Sequence, residues 1–207
     1  MIAEAETHLP HRMRLIDRPG LQIMMCKFME NSAFPEKYIE EVELKDGSKV
    51  RIRPIRPDDA PRLQQAFSML SPQTIYMRFL EAAKGLSDKQ ARQLAEVDYH
   101  SRMALVGTIQ EADEERIVVV ARYGMIQEDN TGLAEAAIVV RDDYQNRGLG
   151  KIAMERLVHY ARENGVTAFM ATVHTTNNRV MRFIQHSGLP FEKEMLEPGV
   201  WEIRIKL

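Results

Sequence analysis

The residues with the clearest chemical meaning are Gln145, Asn146, Arg147, Gly148, Leu149 and Gly150. They follow a β-branched apolar run, Leu133 to Val140, and a polar turn, Arg141 to Tyr144. They also open an amphipathic segment, Gly148 to Arg162, with Ile152, Leu157, Val158 and Ala161 on one side. A strand that turns straight into a helix presents backbone N–H groups that the helix cannot satisfy, and positive partial charge gathers there. Two glycines let a ligand approach the backbone where a Cβ would block it. The chemistry implied is binding of a phosphate or pyrophosphate, with Arg147 and Lys151 placed to add charge-assisted contacts at the rim. Two familiar phosphate loops are excluded. Gln145 stands where a P-loop or a dinucleotide fingerprint needs glycine, and Ile152 stands where a P-loop needs Ser or Thr.

A second candidate lies ten residues upstream of Gln145: Glu135, alone among the apolar residues of Leu133 to Ile138. Burial raises the pKa of a carboxylate in such a setting and makes it a competent base. A glutamate on an edge strand, facing water, is the alternative. Other chemistries find little support. The six histidines (8, 11, 100, 159, 174, 186) show no metal spacing, Cys26 is the single cysteine, and there is no Gly-x-Ser-x-Gly elbow.

Positioning these residues requires a particular series of elements. Val42 to Leu44 and Val50 to Ile52 alternate about the turn Lys45 to Ser48, as strands do. Pro54 and Pro57 stop the second of them. Asp58 or Asp59 is expected to cap a helix through Leu70, with Leu63 and Phe67 inward. Ser71-Pro72 opens another helix, expected to end at Gly85, and Ser87-Asp88 opens a third. Met103 to Ile109, Ile117 to Tyr123 and Leu133 to Val140 form a strand meander ahead of the helix that starts at Gly148. Asn164-Gly165 closes that helix. A strand, Val166 to Val173, a helix, Asn177 to His186, and a last strand, Val200 to Ile205, complete the order. This is an α/β domain with a mixed, mostly antiparallel sheet.

The chain has 207 residues, enough for one domain with a core of its own. Residues 1–37 read as an N-terminal extension, basic and proline-broken before a short Met-rich run, Leu21 to Met29; residues 38–207 read as the domain. With 28 Lys and Arg against 30 Asp and Glu, the net charge is -2, which argues against a nucleic-acid partner. No apolar run approaches the roughly 20 residues of a membrane span, and the N-terminus has no secretory pattern. A lone cysteine suits a reducing compartment. The expectation is a cytoplasmic protein without a membrane partner.

The Gln-x-x-Gly-x-Gly turn after a strand meander resembles motif A of the GNAT superfamily of N-acetyltransferases, in which such a turn holds the pyrophosphate of acetyl-CoA. Asn177-Asn178-Arg179 opening a helix that ends before Ser187-Gly188-Leu189 resembles the family's motif B. The stretch from Val50 to Phe79 is similar to one branch, the bacterial Pat-type protein-lysine acetyltransferases, and the likeness runs over residues 38–207. The resemblance implies the GNAT fold, with central strands splayed apart and helices on both faces. It implies acetyl-CoA as co-substrate, no metal, and transfer of an acetyl group to a primary amine. Within it, Glu135 is the catalytic base, while Gln145 to Gly150 and Lys151 hold the pyrophosphate. The backbone of Ile138, Val139 and Val140 meets the amide-bearing arm of CoA, with the strand near Val139 helping to hold the carbonyl oxygen. Asn178 is a helix cap or cofactor contact. The family's motif B tyrosine is missing, since the equivalent stretch is Phe183-Ile184-Gln185, so the general acid is unassigned, with Tyr144 and His174 nearby in the pattern. The acceptor implied is a protein lysine; a small-molecule amine and a non-catalytic acetyl-CoA-binding module are the alternatives. A monomer and a homodimer are both compatible with the sequence. Pat-type domains often adjoin cyclic-nucleotide-binding or acyl-CoA synthetase modules, and neither is expected in these residues.

Overall fold

The computed structural model describes residues 33–80, 82–126 and 131–207. The basic stretch and the Met-rich run lie outside the described residues. Eight strands form one sheet in the order β1-β2-β3-β4-β5-β6-β8-β7. They are β1 (Glu40–Glu43), β2 (Lys49–Pro54), β3 (Arg102–Glu111), β4 (Glu114–Met125), β5 (Leu133–Val140), β6 (Ala168–His174), β7 (Phe191–Glu197) and β8 (Val200–Lys206). The described α-helices are α1 (Ala60–Ser68), α2 (Pro72–Phe79), α3 (Asp88–Ala95), α4 (Leu149–Glu163) and α5 (Asn178–Gln185). Every neighbouring pair is antiparallel except β5 and β6.

Alternation along the central strands sorts the core into two layers. Met103, Leu105, Ala121 and Tyr123 pack with Leu149, Ala153 and Leu157 of α4. The intervening Ala104, Val106 and Val120 pack with Leu63 of α1 and with Ala91 and Ala95 of α3. Period 2 on the strands and period 3.6 on the helices make this possible. Each large side chain so buried contributes about 1.5–3 kcal/mol. The described chain packs ahead of Tyr38 as well, with Phe34 edge-on to Tyr99 at 5.8 Å.

The pairing of β5 with β6 creates the site. It covers only Leu133↔Ala168, Ala134↔Phe169 and Glu135↔Met170. Beyond Glu135, β5 continues on β4 as far as Val140, while β6 continues on β8 as far as His174. The two strands part there, as the splayed sheet requires, and α2 lies against both.

Several local expectations are corrected. Pro57–Asp59 is a 3-10 turn, and Asp59 does not cap α1 through its side chain. Its carboxylate is fully buried against Arg53 instead. Leu80, in the left-handed conformation at φ 57°, follows the last residue of α2, well short of Gly85. Ser71 caps α2 by accepting from the Thr74 N–H at 3.2 Å, and Ser87 and Gln90 form a capping box on α3. Strand β7 was not expected. Its Glu192, Lys193 and Glu194 are exposed at the sheet edge, so no buried face writes an alternating pattern into it.

Candidate functional site

The loop between β5 and α4 is built by its own side chains. Val140 ends β5, and the Arg141 N–H donates at 2.8 Å to the carbonyl of Val118, the residue that the β3–β4 register shift leaves out of the ladder. Arg141 itself is buried and binds Asp143 and Glu111. Gln145 then turns back: its Nε2 donates to the Val140 carbonyl at 2.9 Å and to Thr74 Oγ1 at 3.3 Å. Thr74 donates to Asp142, which also accepts from the Ser71 N–H and hydroxyl. Burial works to raise the Asp142 pKa, but these bonds outweigh it and hold the carboxyl below its ordinary value. The N-terminus of α2 and the loop are thereby one hydrogen-bonded unit. Arg179 of α5 donates to Gln145 Oε1 from the other side.

What this scaffold leaves open is a row of backbone amides. Gln145 N–H bonds to the Asp142 carbonyl, and Lys151 and Ile152 N–H bond to the Gly148 carbonyl. The N–H groups of residues 146–150 between them have no acceptor among the described residues. Asn146 and Gly148 take positive φ, 63° and 93°, which curls the loop and opens α4. At Gly148 that conformation demands glycine. Gly150 contributes differently, because a Cβ there would face Val140 and Ile138 of β5 at 3.4 and 3.6 Å. Those are ordinary contact distances, so the packing of α4 on the strand does not by itself require glycine at this position. Five amides at the start of a 15-residue helix are an arrangement chemically suited to an anion.

The rim cations carry partners of their own. Arg147 binds Asp46 of the β1–β2 turn at 2.8 Å, and Lys151 lies 3.7 Å from Glu155. Both pairs are solvent-exposed and therefore weak. Tyr144 sits between the guanidinium groups of Arg141 and Arg147, 5.0 and 4.7 Å from its ring.

Strand β5 supplies the second part of the site. The Arg141 N–H faces Val118 of β4, and the Leu133 carbonyl accepts from Ile126 N–H at 2.9 Å. In an antiparallel pair alternate residues turn both backbone groups to the partner. Glu135, Ala137 and Val139 therefore share that orientation, while Ile138 and Val140 turn theirs toward the gap left by β6. The Val140 carbonyl is taken by Gln145, leaving the Val140 N–H and both groups of Ile138 toward the gap. This corrects the expectation for Val139, whose N–H and C=O belong to the β4 ladder.

The side chains alternate in the opposite sense. Ile138 and Val140 pack toward α4, and Val139 packs toward α1 and α3. Glu135, two and four residues back from Ala137 and Val139, shares their face. It is half-buried in the fifth strand of eight, at the last β5–β6 pair, which removes the edge-strand alternative. Arg78 of α2 lies close enough for its guanidinium to be stabilised by the Glu135 charge, although burial is the larger effect and lowers the Arg78 pKa.

The remaining candidates fall as follows. His174 ends β6, and its ring meets that of Tyr76 of α2 edge-on at 5.6 Å. Asn177, not Asn178, caps α5 by accepting from the Val180 N–H at 3.2 Å. Asn178 lines a surface groove with Thr175, Met181 and Trp201. Phe183 and Ile184 pack into the core and bring no hydroxyl to the site. Thr74 and Arg179 were missed in the sequence; the Asn-Asn-Arg run was the only signal for Arg179, and Thr74 had none.

Comparison with known proteins places the chain in a family. The family model described as Acetyltransferase (GNAT) family matches residues 70–189. Acetyltransferase PA5475 of Pseudomonas aeruginosa is 40% identical over 139 residues, covering 67% of this chain and 73% of that protein. Acetyltransferase Pat of Mycolicibacterium smegmatis is 30% identical over 164 residues, which are 79% of this chain but 48% of Pat, so the chain matches about half of that relative. Among solved structures, the GNAT domain of S. lividans PAT superposes with a TM-score of 0.77 at 29% identity, covering 84% of this chain and all of that domain.

Proposed function

The chain belongs to the acetyltransferase (GNAT) family and is an acyltransferase; from that premise we propose that it moves the acetyl group of acetyl-CoA to a primary amine, a protein lysine side chain. The observation that carries the proposal is the parting of β5 from β6 after the Glu135–Met170 pair, directly upstream of five unanswered amides. The diphosphate of CoA fits the amide row, since an anion there meets N–H groups and the positive end of α4 together. The amide-bearing arm of CoA fits the gap, where Ile138 and Val140 offer the backbone groups an extended chain needs. That places the thioester toward the point of parting, beside Glu135.

In this reading Glu135 takes the proton of the ammonium, directly or through one water. Deprotonating a lysine near pH 7 costs about 4.6 kcal/mol, a cost a positioned carboxylate lowers. The amine nitrogen bonds to the thioester carbon, the C–S bond breaks, the electron pair leaves on the CoA sulfur, and the second proton lost by the nitrogen passes to that thiolate, giving the amide and CoA thiol. A thiol with an ordinary pKa of about 8.5 leaves without strong acid assistance, which fits the absence of a tyrosine at Phe183. The lysine acceptor rests on kinship with the Pat-type branch. A cytoplasmic setting accords with a donor of this kind.

The test is release of CoA thiol by the purified chain with acetyl-CoA, comparing lysine-rich proteins with simple amines. Release with proteins and acetyl-lysine in their peptides supports the reading. Release with small amines alone would move the acceptor to that class, and tight acetyl-CoA binding without release would favour a non-catalytic module.

A further inference from the structure

Arg122 of β4 is 7% exposed and stands directly opposite Ala137 of β5. It shares a sheet face with Glu135 and Val139, the face covered by α1 to α3. Among the described residues, the charged groups that act on it are Arg78 and Arg102, both cations. Burial first, and then the two neighbouring cations, push its pKa down to about 9, so it stays a cation near neutral pH. A buried charge without a counter-charge is among the costliest arrangements in a fold.

Arg122 lines open space inside the domain. That space is a cavity of about 60 Å³ between the sheet and the helices, walled by Phe67, Phe79 and Val139, with Arg78 also on its lining. One water needs roughly 10–15 Å³ by the same measure, so a group several times larger fits. Arg78 is attracted by Glu135 on one side and repels Arg122 on the other. It therefore links the cavity to the residue assigned as base. Ala137, between Glu135 and Val139 on that face, puts only a methyl group beside Arg122.

We propose that Arg122 and Arg78 form a subsite for a carboxylate carried by one of the two substrates. The inference rests on the acyl-transfer reading of the same site. Two guanidinium groups donate to a carboxylate in a fork geometry that a neutral group cannot match. The apolar walls suit the methylene chain leading to it. The carboxylate has two sources: the far end of a dicarboxylic acyl chain on CoA, or an acid group on the amine acceptor.

The experiment compares matched pairs on the full chain. Calorimetric binding of succinyl-CoA against butyryl-CoA tests the donor source. Thiol release from acetyl-CoA with 4-aminobutyrate against 4-aminobutanamide tests the acceptor source. In one pair the carboxylate member is expected to be favoured on the order of tenfold or more. Arg122→Met is expected to collapse that ratio to near one, and Arg122→Lys, which keeps the charge without the fork, to retain part of it. Should Arg122→Met fail to fold, the unmodified protein and Arg122→Lys decide between them. No preference in either pair, or a preference that Arg122→Met or Arg122→Lys leaves intact, overturns the proposal. Thiol release without preference would sink the subsite and spare the proposed reaction. An Arg122-dependent binding preference with no release on any amine would spare the subsite and sink the reaction.

Discussion

Two arginines are buried in this sheet, and the molecule treats them in opposite ways. Arg53 of β2 is 1% exposed and forms a fork with Asp59, both Nη groups at 2.7 Å. Its Nε and Nη2 reach Glu115 at 3.1 and 3.2 Å, Nη1 also donates to the Pro54 carbonyl, and Arg62 closes on Asp59 from outside. Arg122 of β4 has none of this and faces a cavity beside the Glu135 strand. The first region satisfies its polar groups internally. The second, with the amides of residues 146–150 and the gap edge of β5, leaves them for something else. The contrast teaches that this chain can neutralise a buried guanidinium when only folding is at stake, and the charge and hydrogen-bonding capacity left unanswered around β5 support the proposed ligand sites.

The sharpest way to break the comparison is at the self-satisfied end. Asp59→Ala leaves Arg53 buried with a single partial counter-charge and is expected to cost about 3–5 kcal/mol in urea unfolding. A loss under 1 kcal/mol would mean that the Arg53 network is incidental. The same network predicts an acid limb. Burial alone would raise the Asp59 pKa, but the bonds from Arg53 and the Arg56 N–H outweigh it and hold it below the ordinary value. Asp59 thus adds stability that is fully present above its unfolded-state pKa of about 3.9 and is lost as pH falls through the lower folded value. Thermal melts from pH 5 downward should show Asp59→Ala and the parent converging.

At the ligand end the stability effects are smaller. Gly148→Ala places a Cβ in the left-handed region and is expected to cost about 1–2 kcal/mol, with weaker binding of acetyl-CoA in calorimetry; Gly150→Ala, whose Cβ would meet only ordinary contacts, should do less. Smallest, and opposite in sign, is Arg122→Met. Removing an uncompensated buried cation is expected to raise unfolding stability by about 1 kcal/mol. A loss comparable to that of Asp59→Ala would show that Arg122 is a structural residue after all, and the contrast would fail.

Legibility in the sequence followed how local each feature is. The turn into α4 was readable because its cause is local: glycines at fixed spacing, between an apolar run and a helical one. Glu135 stood out for the same reason, a single charge in an apolar strand. Asp59 was misread because Pro-Asp-Asp is a sound local cap signal, while its partner Arg53 reaches it only after the turn closes. Val139 was read with its neighbours because backbone direction within a strand depends on register, which β4 sets from afar. Thr74, Arg179 and Arg122 became candidates only through contacts, or missing contacts, between elements distant in sequence. The splay itself was expected from family resemblance alone; nothing in β5 or β6 announces that their pairing ends at Glu135.

The most direct test of the central claim, that acyl transfer takes place where β5 leaves β6, is Glu135→Gln measured for turnover and for acetyl-CoA binding on the same preparation. The account expects turnover at neutral pH to fall on the order of 10²–10⁴-fold, partly restored as pH rises and the amine deprotonates itself, with donor affinity unchanged within about twofold. Equal loss of turnover and binding, or full turnover in the variant, would contradict it.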